Sequence, residues 1–256
     1  MCLGHAELCE RRFDEVALAG AHNAMSTLAD GFVVPNQTLA IPDQLALGVR
    51  ALLLDTYATN EGLFLCHGSC LLGSTPLVET LRELAAFLED HPGEILSLLV
   101  QDATSPAEFA SAMRAAGLES AVLTHVPGEP WPTLGRMLKD GARIVVLAEQ
   151  EGPPPAWYHH MWDLMQDTPF TFQSVAQMSC ELLRGQQDND LFLVNHWLQA
   201  PLSSPELAAV ANEQAVLEER VHRCAAERGK LPNVLAVDHV DLGALFAVVD
   251  ALNGVE

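Results

Sequence analysis

Lysine is nearly absent from this 256-residue chain, which has only Lys139 and Lys230. In total, 13 Lys and Arg stand against 34 Asp and Glu, a formal net charge of −21. So few basic groups cannot form the stripe that phosphate backbones demand, which excludes nucleic acid as a partner. The same acidity repels an anionic membrane surface, while a local apolar patch still permits peripheral contact. No apolar run reaches the ~18 residues of a membrane span. No Gly-rich dinucleotide or P-loop fingerprint follows a strand-like run. Internal repeats and low-complexity tracts are absent from the sequence. The opening MCLGHAELCERRFDE has neither a basic leader nor an apolar run, so it does not read as a secretory signal. Two expectations follow. Either the protein stays in the cytoplasm, or the chain begins after its targeting segment and works outside it.

Apolar residues make up 49% of the chain and charged residues 18%. That is ample material for a packed core. The sequence predicts strands at Glu15–Ala19, Val49–Tyr57, Leu63–Cys66, Ile95–Gln101, Arg143–Ala148, Leu191–Asn195 and Val234–Asp238. Several are apolar on both faces (RIVVLA, LFLV, NVLAV), as strands covered on both sides are. Helix signals lie between them. Leu77–His91 repeats its leucines at helical spacing, with Thr75 as cap and Pro76 in the first turn. Ser105-Pro-Ala-Glu108 is a capping box whose helix runs to Ala115 and stops at Gly117. Ser204-Pro205 opens one long helix to Arg228, and Asp241 caps the last helix, which ends at Asn253-Gly254. The alternation predicts a single α/β domain over residues 1–256, an irregular (β/α)8 TIM-type barrel. A doubly wound open sheet is the alternative. The Pro-rich, then aromatic stretch Glu151–Phe172 reads as a long loop over one barrel face.

Each predicted strand runs out into polar side chains: His22-Asn23, Asp55, His67, Gln101-Asp102, Glu149-Gln150, Asn195-His196 and Asp238-His239. A polar strand end is ordinarily just the place where the chain meets water. Two histidines on early, neighbouring strands point further. An imidazole titrates near neutrality, so a pair supplies one general base and one general acid. Cleavage of a phosphodiester by an adjacent hydroxyl needs that pair, together with a positive charge for the phosphorane-like intermediate. With lysine so scarce, oxygen donors at Asn23, Asp55 and Gln101 or Asp102 point to a hard cation such as Ca²⁺, Asp102 being the carboxylate of that last pair.

The run GAHNAMS, then QLALGVRALLLDTY, LCHGSC and HPGEILSLLVQD, resembles the X-domain of phosphatidylinositol-specific phospholipase C. The C-terminal NVLAVDHVDLGALFAVVDALN is similar to the last strand and helix of that family's bacterial and fungal relatives. The likeness is strongest over Leu8–Asp102 and Leu191–Asn253. It implies a somewhat irregular (β/α)8 barrel. It further implies His22 as base on an inositol hydroxyl, His67 as acid for the leaving group and Asp238 as the carboxylate orienting His22. Asn23 and Asp55 match metal ligands of the calcium-dependent members. Leu53 departs from the pattern, since those members carry a carboxylate there. Three functional readings follow. The first is a phospholipase C-like phosphodiesterase, hydrolase or lyase, of lipid metabolism, acting on phosphatidylinositol or another phospholipid head group. The second is a related glycerophosphodiester or sphingolipid phosphodiesterase. The third is an inactive barrel that binds lipid or carbohydrate.

Other candidates carry two readings each. Arg50 is a structural ion pair at the barrel bottom or a substrate contact. His196 and Trp197 wall the substrate site, or His196 is a buried rim histidine. His159-His160 reads as solvated loop, and Trp157, Tyr158, Met161 and Trp162 as residues that pack the loop or lid the site. Cys66 and Cys70 read first as a disulfide pinning the His67 turn, then as reduced thiols, and last as zinc ligands. Cys9 joins Cys2 or Cys180.

Overall fold

A computed structural model describes residues 1–255. Its main sheet has eight parallel strands in the order β7-β6-β5-β2-β1-β10-β9-β8. They are β1 (Leu18–Ala21), β2 (Ala51–Thr59), β5 (Leu96–Ala103), β6 (Ile144–Ala148), β7 (Tyr158–His160), β8 (Met165–Asp167), β9 (Leu191–His196) and β10 (Val234–Val237). Two short strands, β3 (Gly62–Cys66) and β4 (Ser74–Pro76), extend β2 as an antiparallel flap. Helices follow most strands: α1 (Ile41–Leu47), α2 (Leu77–Asp90), α3 (Pro106–Ala115), α4 (Leu134–Asp140), α5 (Pro205–Ala211), α6 (Gln214–Arg228) and α7 (Leu245–Asn253). This is the predicted irregular α/β barrel. The sheet curls without a ladder between β7 and β8.

Strand parity divides the interior into two cores. Successive side chains of a strand point to opposite faces. Leu18, Ala51, Leu99, Val145, Leu147, Leu191, Leu193, Val234 and Ala236 pack together inside the barrel, closed below by Leu8, Phe13 and Trp131. Their alternates, Ala19, Leu52, Leu98, Val146, Phe192 and Leu235, face outward against the helices. Burying each large aliphatic side chain of this kind is worth roughly 1.5–3 kcal/mol. At Gly20 the inner space is full, because an added Cβ would stand 2.9 Å from Val234.

The segment 151–172 departs from its expected loop character, since it supplies β7 and β8. Each is three residues long and lacks strand periodicity. Pairing with Val146–Ala148 and Leu191–Leu193 makes them strands. The long helix expected after Ser204 divides at Asn212. Its buried side chain donates to the carbonyls of Asp238 and Leu242, which draws the chain out of the helix. The capping box at Ser105 and Glu108 forms as read. Thr75 pairs with Leu65 in the flap instead of capping α2, and α7 starts at Leu245, beyond the reach of an Asp241 cap. All six cysteines are bridged, as Cys2–Cys9, Cys66–Cys70 and Cys180–Cys224. Among the described residues no helix is long and apolar enough to cross a membrane.

Candidate active site

A cleft opens at the C-terminal ends of the strands. Parity explains its lining. Continuing each inward row one step past its last apolar residue reaches His22 beyond β1, Asp55 on β2, Gln101 on β5, Glu149 beyond β6 and Asn195 on β9. All five line the cleft. The same step beyond β10 reaches Asp238, which lies behind His22.

His22 Nδ1 donates to Asp238 Oδ1 at 2.7 Å. Asp238 is held in turn by Asn36 Nδ2, at 3.1 Å from the same oxygen, and by the Ser203 hydroxyl on Oδ2. A carboxylate fixed by other donors keeps the proton on Nδ1, which leaves His22 Nε2 as the basic nitrogen. Nε2 has no hydrogen-bond partner among the described residues. Asn23 is buried in the left-handed region (φ 45°), and its Nδ2 donates to Asn36. Its amide oxygen is thereby left for the cleft.

Asp55 is buried and accepts no hydrogen bond from the described residues. Burial pushes its carboxyl up to about 7, with Glu149 adding to the rise and His22 opposing it. A buried carboxylate without a donor is a place where a cation would restore the lost stabilisation. The set it belongs to, Asn23 and Asp55, is all oxygen and suits a hard ion. Leu53 lines the cleft where a second carboxylate would strengthen the set. Among the described residues no three His, Cys, Asp or Glu converge on one metal position. Substrate and water would therefore complete any shell.

His67 stands on the turn closed by Cys66–Cys70. Burial lowers its pKa and the charge of His22 lowers it further, while Asp238 opposes. Both members of the His22–Asp238 pair are thus within electrostatic reach of His67, although His67 does not line the cleft floor.

Three expected site residues lie elsewhere. Asp102 has the outward parity of β5 and accepts the backbone N–H groups of Gln150 and Glu151 and the hydroxyl of Tyr158. Its neighbour Gln101 faces the cleft in its place. His196 has the outward parity of β9. It is fully buried, donates to the Ala211 carbonyl, and is pushed down to about 4 by burial. Arg50 is at the N-terminal end of β2, at the opposite face of the barrel. It pairs with Glu94 at 2.6 Å and donates to the carbonyls of Leu45 and Val49. Trp197 does line the cleft, but its ring lies against His22.

One cation in the cleft was missed by the sequence reading. Arg184 comes from the segment between β8 and β9. It donates to a single Asp167 oxygen, Oδ2, through Nε at 2.9 Å and Nη2 at 2.5 Å, and reaches Glu149 at 3.2 Å. Its guanidinium lies over Trp162 and Phe170. Burial raises the pKa of Asp167 and Glu149, and Arg184 opposes both rises. Within ELLRGQQDND no periodicity marks this arginine, and only the fold brings it inward.

Residues 8–253 match the family described as PI-PLC X 1. The chain belongs to the PI-PLC X domain family. A PI-PLC X domain-containing protein 1 from Arthroderma benhamiae is 27% identical over 275 aligned residues, covering 99% of this chain and 90% of that one. An uncharacterized secreted protein of the same fungus is also 27% identical, over 289 residues. It covers 99% of this chain, which spans only 64% of that relative's length. Among solved structures, the H258Y mutant of phosphatidylinositol-specific phospholipase C from Staphylococcus aureus superposes with a TM-score of 0.65, covering 97% of this chain and 94% of that one. At 14% identity that likeness is one of fold. The PI-PLC X domain described here thus shares the barrel fold of that structure.

Proposed function

We propose that this PI-PLC X domain is a phosphodiesterase that cleaves by internal attack of a neighbouring hydroxyl. The observation that carries the reading is the 2.7 Å contact of His22 with Asp238, beside the oxygen donors Asn23 and Asp55. His22 Nε2 takes the proton of the attacking hydroxyl as its oxygen bonds to phosphorus. The bond from phosphorus to the leaving oxygen breaks, and His67 gives that oxygen a proton. The product is a cyclic phosphodiester and a free alcohol, and each histidine ends in the other's starting protonation state. Asn23 and Asp55 would hold Ca²⁺, which supplies positive charge to the phosphate oxygens. The remaining work falls to the protein. Asp238 orients the base, and Arg184, held by Asp167, presents its charge to Glu149 on the cleft wall.

A phospholipid or its head group is the substrate class we favour. Exposed apolar residues gather where the Val33 N–H donates to the Leu72 carbonyl across two loops and Leu71 is 95% exposed. Such an apolar patch suits a weakly charged lipid interface better than an anionic one. Three disulfides, and a relative named as secreted, support an extracytoplasmic location. The deciding assay offers phosphatidylinositol and glycerophosphodiesters, each with Ca²⁺ or with chelator. The expected outcome is calcium-dependent release of a cyclic phosphate. A linear monoester as the first product would refute internal attack. No turnover of any phosphodiester would leave the inactive binding barrel as the better reading.

A further inference from the structure

We infer that Trp197 is a positioning residue for His22 and not a platform for substrate; the inference rests on His22 as the base. The indole and imidazole rings stack with centroids 3.6 Å apart and planes 6° from parallel. Trp197 is 3% exposed, so it has almost no free surface to offer a ligand. The hydrogen bond to Asp238 holds one ring nitrogen, but a hydrogen bond tolerates a range of angles and so permits the ring to tilt. The indole face removes this freedom and so sets where Nε2 points. Such control matters, because a displacement of about 1 Å in a reacting group can cost ~10²-fold in rate. When His22 takes up a proton, the same face lies against an imidazolium, an arrangement that aromatic rings favour.

Two further observations separate this role from ordinary packing. The indole Nε1 is buried and has no hydrogen-bond partner among the described residues. A phenylalanine would fill much of the space without that penalty, so the wider indole face carries a cost that plain packing does not explain. Trp197 is also backed by other flat groups. Phe170 lies 6.0 Å away at 28°, and the Arg184 guanidinium sits 5.2 Å from the Phe170 centroid. Arg184 is itself anchored by Asp167 at the barrel wall. The plane of the base is thereby tied to a rigid strand end.

The test compares Trp197→Leu and Trp197→Phe with the native protein in steady-state kinetics and by proton NMR of the His22 Nδ1–H shared with Asp238. W197L is expected to lower kcat about 10²-fold with KM within about twofold, and W197F, with its narrower face, to fall between W197L and the native protein in kcat. A KM that rises while kcat holds would overturn the inference in favour of a substrate platform. In the spectra, the downfield Nδ1–H resonance should persist in the native protein and W197F and broaden in W197L. An unchanged resonance in W197L would overturn it equally. The NMR arm needs no turnover, so an inactive native protein would defeat the phosphodiesterase reading while still testing the role of Trp197. Should W197L fail to fold, Phe170→Ala carries the same test, with a smaller fall in kcat at unchanged KM. A rise in KM there would count against the inference.

Discussion

His22 and Asp238 are 216 residues apart in the chain and 2.7 Å apart in space. The contact forms because β1 and β10 pair in parallel, with Ala21 opposite Val237, so the residues after each strand emerge side by side. Asp238→Asn should leave the fold intact and lower kcat by about 10⁴-fold, the size of effect seen when an amide replaces the orienting carboxylate of a histidine base. Kinetics together with near-ultraviolet circular dichroism check it. Near-native turnover in a folded variant would remove Asp238 from the mechanism.

The pH dependence of cleavage should be set on its alkaline side by His67. Burial and the charge of His22 lower its pKa below the ordinary 6.5. A general acid must hold its proton, so activity should fall as the pH rises through a value under 6.5. The descending limb of kcat/KM measures this directly. A limb well above that value would assign the proton donor to another group.

Asp55 should make stability depend on pH and on a cation. Its carboxyl is raised from 3.8 to about 7 in the folded state. A raised group favours folding below its unfolded pKa, and that contribution is lost as the pH rises through the folded value. With chelator present, the melting temperature of Asp55→Asn should gain on the native protein between about pH 4 and pH 7 and hold its lead above. Added Ca²⁺ at pH 8 should raise the native melting temperature and leave the variant unmoved. A pH-independent gap, or equal calcium responses, would contradict this role.

Cys180–Cys224 ties the segment after β8 to α6 across 44 residues. In the chain-entropy treatment, closing such a loop is worth about 4 kcal/mol. Replacing both cysteines by alanine should lower unfolding stability by that order in denaturant titrations. The loss should loosen the segment that carries Arg184 before it disturbs the first half of the barrel, which hydrogen exchange would resolve.

The exposed apolar patch at Leu71 and Leu72 should govern contact with lipid. Leu71→Asp combined with Leu72→Asp is expected to reduce sedimentation with phosphatidylcholine vesicles at least tenfold while leaving cleavage of a short-chain, monomeric substrate unchanged. Equal vesicle binding by variant and native protein would place the lipid contact elsewhere.

Much of the barrel was legible in the sequence because strands buried on both faces announce themselves by composition. RIVVLA and NVLAV have no polar alternation to confuse the reading, and the strand-end polar residues mark the face where chemistry gathers. The two short strands after Trp157 were not legible. Three residues carry too little pattern, and partners distant in sequence make them strands. The sequence also names Asp102 and His196 as readily as Gln101 and Asn195. Alternation along β5 and β9, once their registers are known, sends the first pair outward and the second into the cleft.

The sequence by itself determined the fold class, the family, and the supply of side chains: two early histidines, a late aspartate, many carboxylates and almost no lysine. The scarcity of lysine pointed to a metal as the missing positive charge. The tertiary structure decided which charges meet. It turned Arg50 to the far end of the barrel, brought Arg184 in from an unpatterned segment to face Glu149 and Asp167, and set Trp197 against the base. The reason is that composition counts charges, whereas strand parity and loop packing determine which of them share a low-dielectric cleft.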